Sequence, residues 1–438
     1  MKETQEKRLR LRVVTLGCSK NTVDTEHLLA QLPSDRFEIV PDGGGVDYLL
    51  VNTCGFIGDA KEESIQAVLE AVELKKRGEA EKLAVFGCLS QRYSSELPKE
   101  IPEVDAWFGA RGLGDILSWL GVSAGPLVSR YPTGRGSYAY IKVSEGCDRR
   151  CSYCAIPYIR GAHHSVPVED IVTEASSLVA AGAKELILIA QDTTYYGLDI
   201  YHKRMLAPLL RELSAIDGVE RLRIHYSYPD DFPEDVIAEM ADNPKVCRYL
   251  DIPLQHISDK VLSMMHRNVD GAWTRNLIAR MRREIPGVVL RTTMIVGHPG
   301  EGEKEFGELL DFVAEARFER LGAFMYSEEE GTYGAKHYRD EVSSEVKRER
   351  LDRLMELQRD ISLDYNASRV GSIVKVLVDD VLDGGVLVCR SEFESPEVDG
   401  EILVRNCPAS VRPGDFIDVR ISEAGDYDLV GEIIKVEP

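Results

Sequence analysis

The amino-acid sequence predicts an α/β chain in three parts: an N-terminal doubly wound parallel sheet, a central partial (βα)6 barrel and a small C-terminal antiparallel β-barrel. Three observations carry this. Over roughly the first 120 residues, apolar β-rich runs alternate with amphipathic helical stretches, the pattern of a parallel sheet with crossover helices. A second series of six strand candidates, again separated by helices, follows over about 200 residues, too few units for a closed eightfold barrel. The last 68 residues hold only short β runs broken by Gly and Pro. At 438 residues the chain is also too long for one core and suits two or three domains.

The elements follow in order. "LRVVTLGC", "VDYLLVNTC" and "EKLAVFGC" read as buried parallel strands, and "DAKEESIQAVLEAVELKKRG" as a helix whose Ile65, Val68, Leu69 and Val72 recur at helical spacing. "GVSAGPLVSRYPTGRGS" (121–137), rich in Gly, Pro and Ser, reads as a linker. "YAYIKVS", "KELILIAQD", "RLRIHYSYP", "RYLDIPLQ", "VVLRTTMIVG" and "RLGAFMYS" are the six barrel strands. Residues 342–370 read as one long charged helix. Five β runs from Gly371 onward suggest a small barrel of the oligonucleotide-binding type. The domain boundaries expected are therefore 1–122, 138–370 and 371–438.

Composition narrows the class. No apolar run approaches the roughly 18 residues of a membrane span, and "MKETQEKRLRLR" lacks the apolar core of a signal peptide, so a cytoplasmic protein is expected, with no membrane partner. A net charge of −21 argues against a surface built to grip phosphate backbones. It would suit a cationic partner, or serve solubility alone. The nine cysteines are spread over a long chain, which in a reducing compartment points to metal or catalysis rather than disulfides.

Three of them crowd into "SEGCDRRCSYCAIPYIRG": Cys147, Cys151 and Cys154, directly after the first barrel strand. Barrel active sites form at that end of the strands. Three thiolates can hold three irons of a [4Fe–4S] cube and leave the fourth open to a small molecule. A zinc site with His163 or His164 as fourth ligand is the competing reading. A dry core of unligated cysteines conflicts with the Arg149–Arg150 pair between two of them. With Tyr153 before the last cysteine, the motif resembles the radical S-adenosylmethionine (SAM) superfamily. The resemblance implies SAM chelated to the open iron and cleaved reductively to a 5′-deoxyadenosyl radical, with the protein positioning reactants and excluding water.

Cys18, Cys54 and Cys88 each end a predicted parallel strand beside a glycine (Gly17, Gly55, Gly87). Carboxyl ends of neighbouring strands line one crevice, so three such thiols can converge. Singly, each reads as a small buried apolar residue. Together with "VVTLGCSKNTVDTEHL", "VNTCGFIGDAKEES" and "VFGCLSQRY", the radical loop and the β tail, they resemble the methylthiotransferases over nearly the whole chain. That resemblance implies two [4Fe–4S] clusters and SAM as cofactors. Cys147, Cys151 and Cys154 would hold the radical-generating cluster; Cys18, Cys54 and Cys88 would hold an auxiliary one that delivers sulfur. The tail would be the family's TRAM-like domain.

Within that family, "RIHYSYPDDFP", "YLDIPLQHISDKVLSMMHR" and "RTTMIVGHPGE" look closer to the branch acting on the β-carbon of an aspartate in the twelfth small-subunit ribosomal protein than to the branch acting on adenosine in transfer RNA. Charge agrees: the tail from Gly371 carries 6 basic and 15 acidic residues, which repels RNA and attracts a basic ribosomal protein. A reducing electron donor and a monomeric state are further expectations. A transfer-RNA methylthiotransferase and a non-catalytic iron–sulfur or zinc protein that binds ribosomes are the competing functions. Tyr153, Gln191, Arg291 and Gly297 are candidates for SAM contact. Asp192, Thr193, Gln255, His256, Thr292, Thr293 and Gly300 lie at comparable strand ends or turns, where a structural hydrogen bond is as good an explanation as a ligand. "GHPGEGEKEF" fails the phosphate-loop spacing. Cys247, Cys389 and Cys407 have no partner at ligand spacing and read as structural.

Overall fold

The computed structural model describes residues 7–41, 43–134, 136–405, 407–408 and 410–436; the first six residues of the expected leader-free N-terminus and Glu437 of the acidic tail lie outside them. The chain divides into two units. One comprises the residues up to Thr133 with Glu145–Asp148 and Ala155–His163; the other comprises Gly134–Ser144, Arg149–Cys154 and everything from His164.

In the first unit, β1 (Leu9–Thr15), β2 (Phe37–Ile39), β3 (Val46–Thr53), β4 (Ala80–Gly87) and β5 (Ala106–Trp107) form a sheet in the order β2-β1-β3-β4-β5. Every pair is parallel. Side chains alternate across it with the period of two a strand imposes. Leu49, Val51, Leu83 and Val85 pack on one face. Leu50, Ala84 and Phe86 pack on the other with Leu28 and Leu29 of α1 (Ser19–Ala30). Both faces are covered by helices, as a doubly wound sheet requires.

The helix α2 (Gly58–Lys76) departs from the periodicity expected of it. Val68 and Val72 are buried, but Ile65 and Leu69 are 37% and 44% exposed. The cause lies one position earlier. Ser64 Oγ accepts from Cys54 N and donates to Cys54 O, both at 2.9 Å, which turns Ser64 rather than Ile65 toward the sheet. The segment read as a linker is strapped to α1 as far as Thr133. Gly125 N donates to Gln31 Oε1 at 2.8 Å, and Thr133 N and Oγ1 donate to Glu26 Oε1 at 2.7 and 2.8 Å.

In the second unit, β6 (Tyr138–Lys142), β9 (Glu185–Ile189), β10 (Arg221–Ile224), β11 (Val246–Asp251), β12 (Val289–Val296) and β13 (Arg320–Met325) form an open parallel sheet in chain order. The two-residue strands β7 (Ser144–Glu145) and β8 (His164–Ser165) flank the cysteine loop. Leu186, Leu188, Leu222, Ile224, Leu250 and Leu290 point to the outer helices and build the largest core. The alternate positions carry Glu185, Arg221, Arg223, Tyr249, Asp251, Arg291 and Arg320. The long helix spans Ser344–Ser368, capped by Ser343 Oγ accepting from Val346 N.

The tail closes into a barrel of β14 (Ile373–Leu382), β15 (Val386–Arg390), β16 (Ile402–Val404), β17 (Phe416–Ala424) and β18 (Leu429–Val436). It is not wholly antiparallel: β16 and β18 pair parallel, as strand order β14-β15-β16-β18-β17 requires. This barrel and its β15–β16 loop meet the amino ends of the parallel strands. Arg221 Nη2 donates to Lys375 O at 2.7 Å, Glu185 accepts from Arg223 and Arg390 at 2.6 and 3.1 Å, and Tyr249 Oη donates to Asp399 at 2.7 Å. The carboxyl ends are thereby left for chemistry.

Candidate active site

The first set of thiols sits at three adjacent strand ends of the parallel sheet. Cys18 follows β1 and stands at the N-cap of α1, Cys54 follows β3, and Cys88 follows β4. Each neighbouring glycine is demanded by close approach. A Cβ on Gly17 would lie 2.7 Å from Cys54 Cβ and 3.0 Å from its sulfur. On Gly55 it would lie 2.7 Å from Leu89 backbone, and on Gly87, at φ +103°, 2.6 Å from Thr53 O. Polar bonds stitch the same ends together. Asn21 Nδ2 donates to Leu16 O at 2.8 Å and Thr53 O at 3.2 Å, and Thr53 Oγ1 donates to Phe86 O at 2.7 Å.

The three thiols fall within electrostatic reach of one another. Burial pushes the Cys88 thiol up to about 11; Arg160 pulls it back, and Cys18 and Cys54 add to the rise. Cys54 is raised by burial and by Cys18, again opposed by Arg160. Among the described residues, no three of His, Cys, Asp or Glu group as a single-ion site. Cys18, Cys54 and Cys88, with glycines drawn in around them and a guanidinium alongside, are the residues of this unit that could hold a polynuclear cluster through three thiolates.

The second set lies on the loop after β6. Gly146 has φ +79°, and a Cβ there would collide with Ala162 O. That approach lets Cys147 N donate to Gly161 O at 3.0 Å and His163 N donate to Asp148 Oδ1 at 3.1 Å. Further along, Cys154 N donates to Cys151 O at 3.2 Å in a tight turn, Ser152 N donates to Met265 O, and Gly334 N donates to Ser152 O. Arg149 is anchored by Asp192 at 2.9 Å and Asp230 at 3.0 Å. Tyr228 lies between Arg149 and Arg267, whose guanidinium carbons stand 4.0 and 4.1 Å from its ring centre. Its hydroxyl is 3.9 Å from Cys151 Sγ, and Arg267 Nη1 is 4.0 Å from the same sulfur. Burial raises the Tyr228 phenol, keeping it neutral. Of the two histidines of the zinc alternative, His164 is exposed with its Nδ1 3.8 Å from Asp199, and His163 is buried.

The other candidates divide. Tyr153 packs edge-on to His298, with centroids 6.4 Å apart. Gln191 lies two residues past the end of β9, beside Asp192, whose carboxylate serves Thr194 and Arg149. Thr193 Oγ1 donates to His225 O, and Thr292 Oγ1 to Ile252 O. Gln255 adopts φ +74° and bridges to β12 through Thr293 O and Ile295 N. His256 Nδ1 accepts from Ser258 N, and its Nε2 lies 3.2 Å from Glu301. Arg291 is held by Asp251 at 2.7 Å, toward the amino end of β12 rather than at its carboxyl end. At Gly297 and Gly300, the space a Cβ would need is filled by Lys347 and Met264 of this chain. Cys247 and Cys389 are buried in separate cores, and Cys407 Sγ donates to Pro408 O. Sequence reasoning missed Arg160 and Arg267, whose only signal is an arginine placed near a cysteine motif and an aromatic strand end.

Residues 10–109 match an uncharacterized protein family, UPF0004; residues 141–313 match the radical SAM superfamily; residues 370–434 match the TRAM domain. Over 438 residues the chain is 47% identical to the ribosomal protein uS12 methylthiotransferase RimO of Christiangramia forsetii, covering 100% of this chain and 97% of that one. The chain belongs to the RimO family. Members from Bacteroides thetaiotaomicron (48% identical, 98% of this chain, 99% of that one) and Porphyromonas gingivalis (49%, 98% and 100%) agree with it along the same length. Among solved structures, the radical SAM methyltransferase TsrM of Kitasatospora setae superposes with a TM-score of 0.56 at 16% identity, over 73% of this chain and 75% of that one. The cobalamin-dependent radical SAM enzyme OxsB gives 0.52 at 11% identity, over 81% and 56%. These two share the fold.

Proposed function

We propose that this RimO-family chain methylthiolates the β-carbon of an aspartate in ribosomal protein uS12, using SAM and two [4Fe–4S] clusters. Full-length identity of 47% to a uS12 methylthiotransferase carries the reading. Cys147, Cys151 and Cys154 hold the cluster that binds SAM, and Cys18, Cys54 and Cys88 hold the auxiliary cluster. Bound there, these groups supply a 5′-deoxyadenosyl radical and a sulfur source for the substrate carbon. The chain's own residues position and shield. Arg149, fixed between Asp192 and Asp230, sets the stretch between Cys147 and Cys151. Tyr228 and Arg267 stand 3.9 and 4.0 Å from the Cys151 sulfur and present a hydroxyl and a cation to it.

The tail supports a protein substrate over RNA, since 6 basic residues face 15 acidic ones. Part of that surplus is committed internally: Asp379 pairs with Arg390, and Glu394 with Arg320 and Arg369. Glu397, Asp399 and Asp415 are engaged as well, with Tyr138 and Tyr140, with Tyr249, and with Arg412 N; the net acidic surplus of the tail would still steer a basic partner. Among the described residues no helix is long and apolar enough to cross a membrane. We place the enzyme in the cytoplasm as a monomer, supplied by a reducing electron donor.

Anaerobic reconstitution followed by metal analysis and a substrate assay tests this reading. Two clusters should bring about eight irons per chain. With SAM and reductant, the methylthio mass gain should appear on uS12. Gain on transfer RNA alone would overturn the substrate; about four irons, or zinc, would overturn the two-cluster reading.

A further inference from the structure

Arg160 is buried, 2% exposed, six residues beyond Cys154, and its donors are all engaged within the first unit. Its Nε donates to Cys88 Sγ at 3.2 Å. Nη1 donates to Asp24 at 2.7 Å and to Glu145 at 2.9 Å, and Nη2 donates to Asn21 Oδ1 at 2.6 Å. Ala155 and Ile159 of the same segment pack against Cys88. Two carboxylates balance the one guanidinium, so the cation is not left uncompensated in the interior. Five N–H groups in a rigid fork allow one side chain to serve four partners, which Lys cannot do.

Glu145 and Arg160 bracket the radical loop in sequence, and their pair closes its neck beside the Cys147–Gly161 backbone bond. The same guanidinium reaches the sulfur of an auxiliary ligand. Resting on the cysteine assignment proposed above, we infer that Arg160 is a positioning residue shared by both cysteine sets: it clasps the neck of the radical loop through Glu145 and donates to the Cys88 sulfur of the auxiliary cluster. A hydrogen bond to a ligand sulfur favours the electron-rich reduced cluster and so raises its potential. In a buried site the effect is enlarged by the low dielectric.

The test uses full-length chain with Cys147, Cys151 and Cys154 changed to Ala, which isolates the auxiliary cluster. That parent should retain about four irons per chain after anaerobic reconstitution. Adding Arg160→Lys or Arg160→Gln should leave the iron content intact and shift the midpoint, read by EPR-monitored redox titration, to lower potential, more for Gln than for Lys. An unchanged midpoint in both variants would overturn the inference. So would loss of iron from both, since Arg160 would then be needed for assembly rather than tuning. If Gln alone fails to assemble, the Lys midpoint decides. Iron missing from the parent itself would overturn the cysteine assignment, and the inference with it.

Discussion

At the residue scale, the three glycines beside Cys18, Cys54 and Cys88 matter as much as the thiols. Gly87→Ala would drive a Cβ into Asn52 Oδ1 at 2.5 Å and Thr53 O at 2.6 Å, at a backbone angle L residues rarely adopt. We expect a loss of about 2–4 kcal/mol of unfolding free energy, read from denaturant curves, together with half of the bound iron; normal iron loading would refute the cradle. Cys18→Ala should leave SAM cleavage intact and abolish sulfur insertion, both read by product chromatography. Loss of both activities would show that the two sets are not separable. Cys18, Cys54 and Cys88 could be singled out because each follows a recognisable strand end, and Cys147, Cys151 and Cys154 because they crowd one short loop. Arg160 was not, because nothing in "CAIPYIRG" says that its side chain crosses to a thiol more than 70 positions earlier. The partner of Arg291 was hidden for a related reason: period-two alternation along its strand turns it toward Asp251, 40 positions earlier.

At the element scale, α2 and the β15–β16 loop show what periodicity leaves out. The spacing of Ile65, Val68, Leu69 and Val72 located the helix, but two hydrogen bonds from Ser64 set its rotation. The β15–β16 loop has no periodicity at all, yet it supplies Glu394 to Arg320 and Arg369, and Asp399 to Tyr249. Glu394→Gln leaves two buried guanidinium groups facing a neutral amide and should cost about 3–5 kcal/mol, measured by urea unfolding. Acid should reach the same network. Burial alone would raise the Glu394 and Glu185 carboxyls; Arg369 and Arg320 hold the first down to about 2, and Arg223 and Arg390 hold the second down to about 2. Both titrate lower folded than unfolded, so their stabilisation is complete above the free glutamate value of about 4.3 and drains as pH falls from there toward 2. The urea midpoint should lose this contribution only below about pH 4.5; a loss of it between pH 8 and 6 would refute the assignment.

At the scale of the whole molecule, alternation of strands and helices was enough to read the order of sheets, and the tail's closure into a barrel followed from five β runs. The parallel pairing of β16 with β18 was hidden because it depends on closure, not on any local turn. Truncation after Val370 should do more than remove an acidic surface. It strips partners from Glu185, Arg221, Arg223 and Tyr249, so the shortened chain should fail to give a cooperative thermal transition; a truncated chain melting like the full one would show the tail to be a separable appendage.

Glu185 shares Arg390 with Asp379, across 205 positions of chain. During synthesis from the amino terminus, Glu185 can meet Arg223 as soon as β10 is made, but Arg390 arrives only with the last tenth or so of the polypeptide. The floor of the barrel is therefore only partly paired while the chain is still being made, and is completed when the tail closes beneath it.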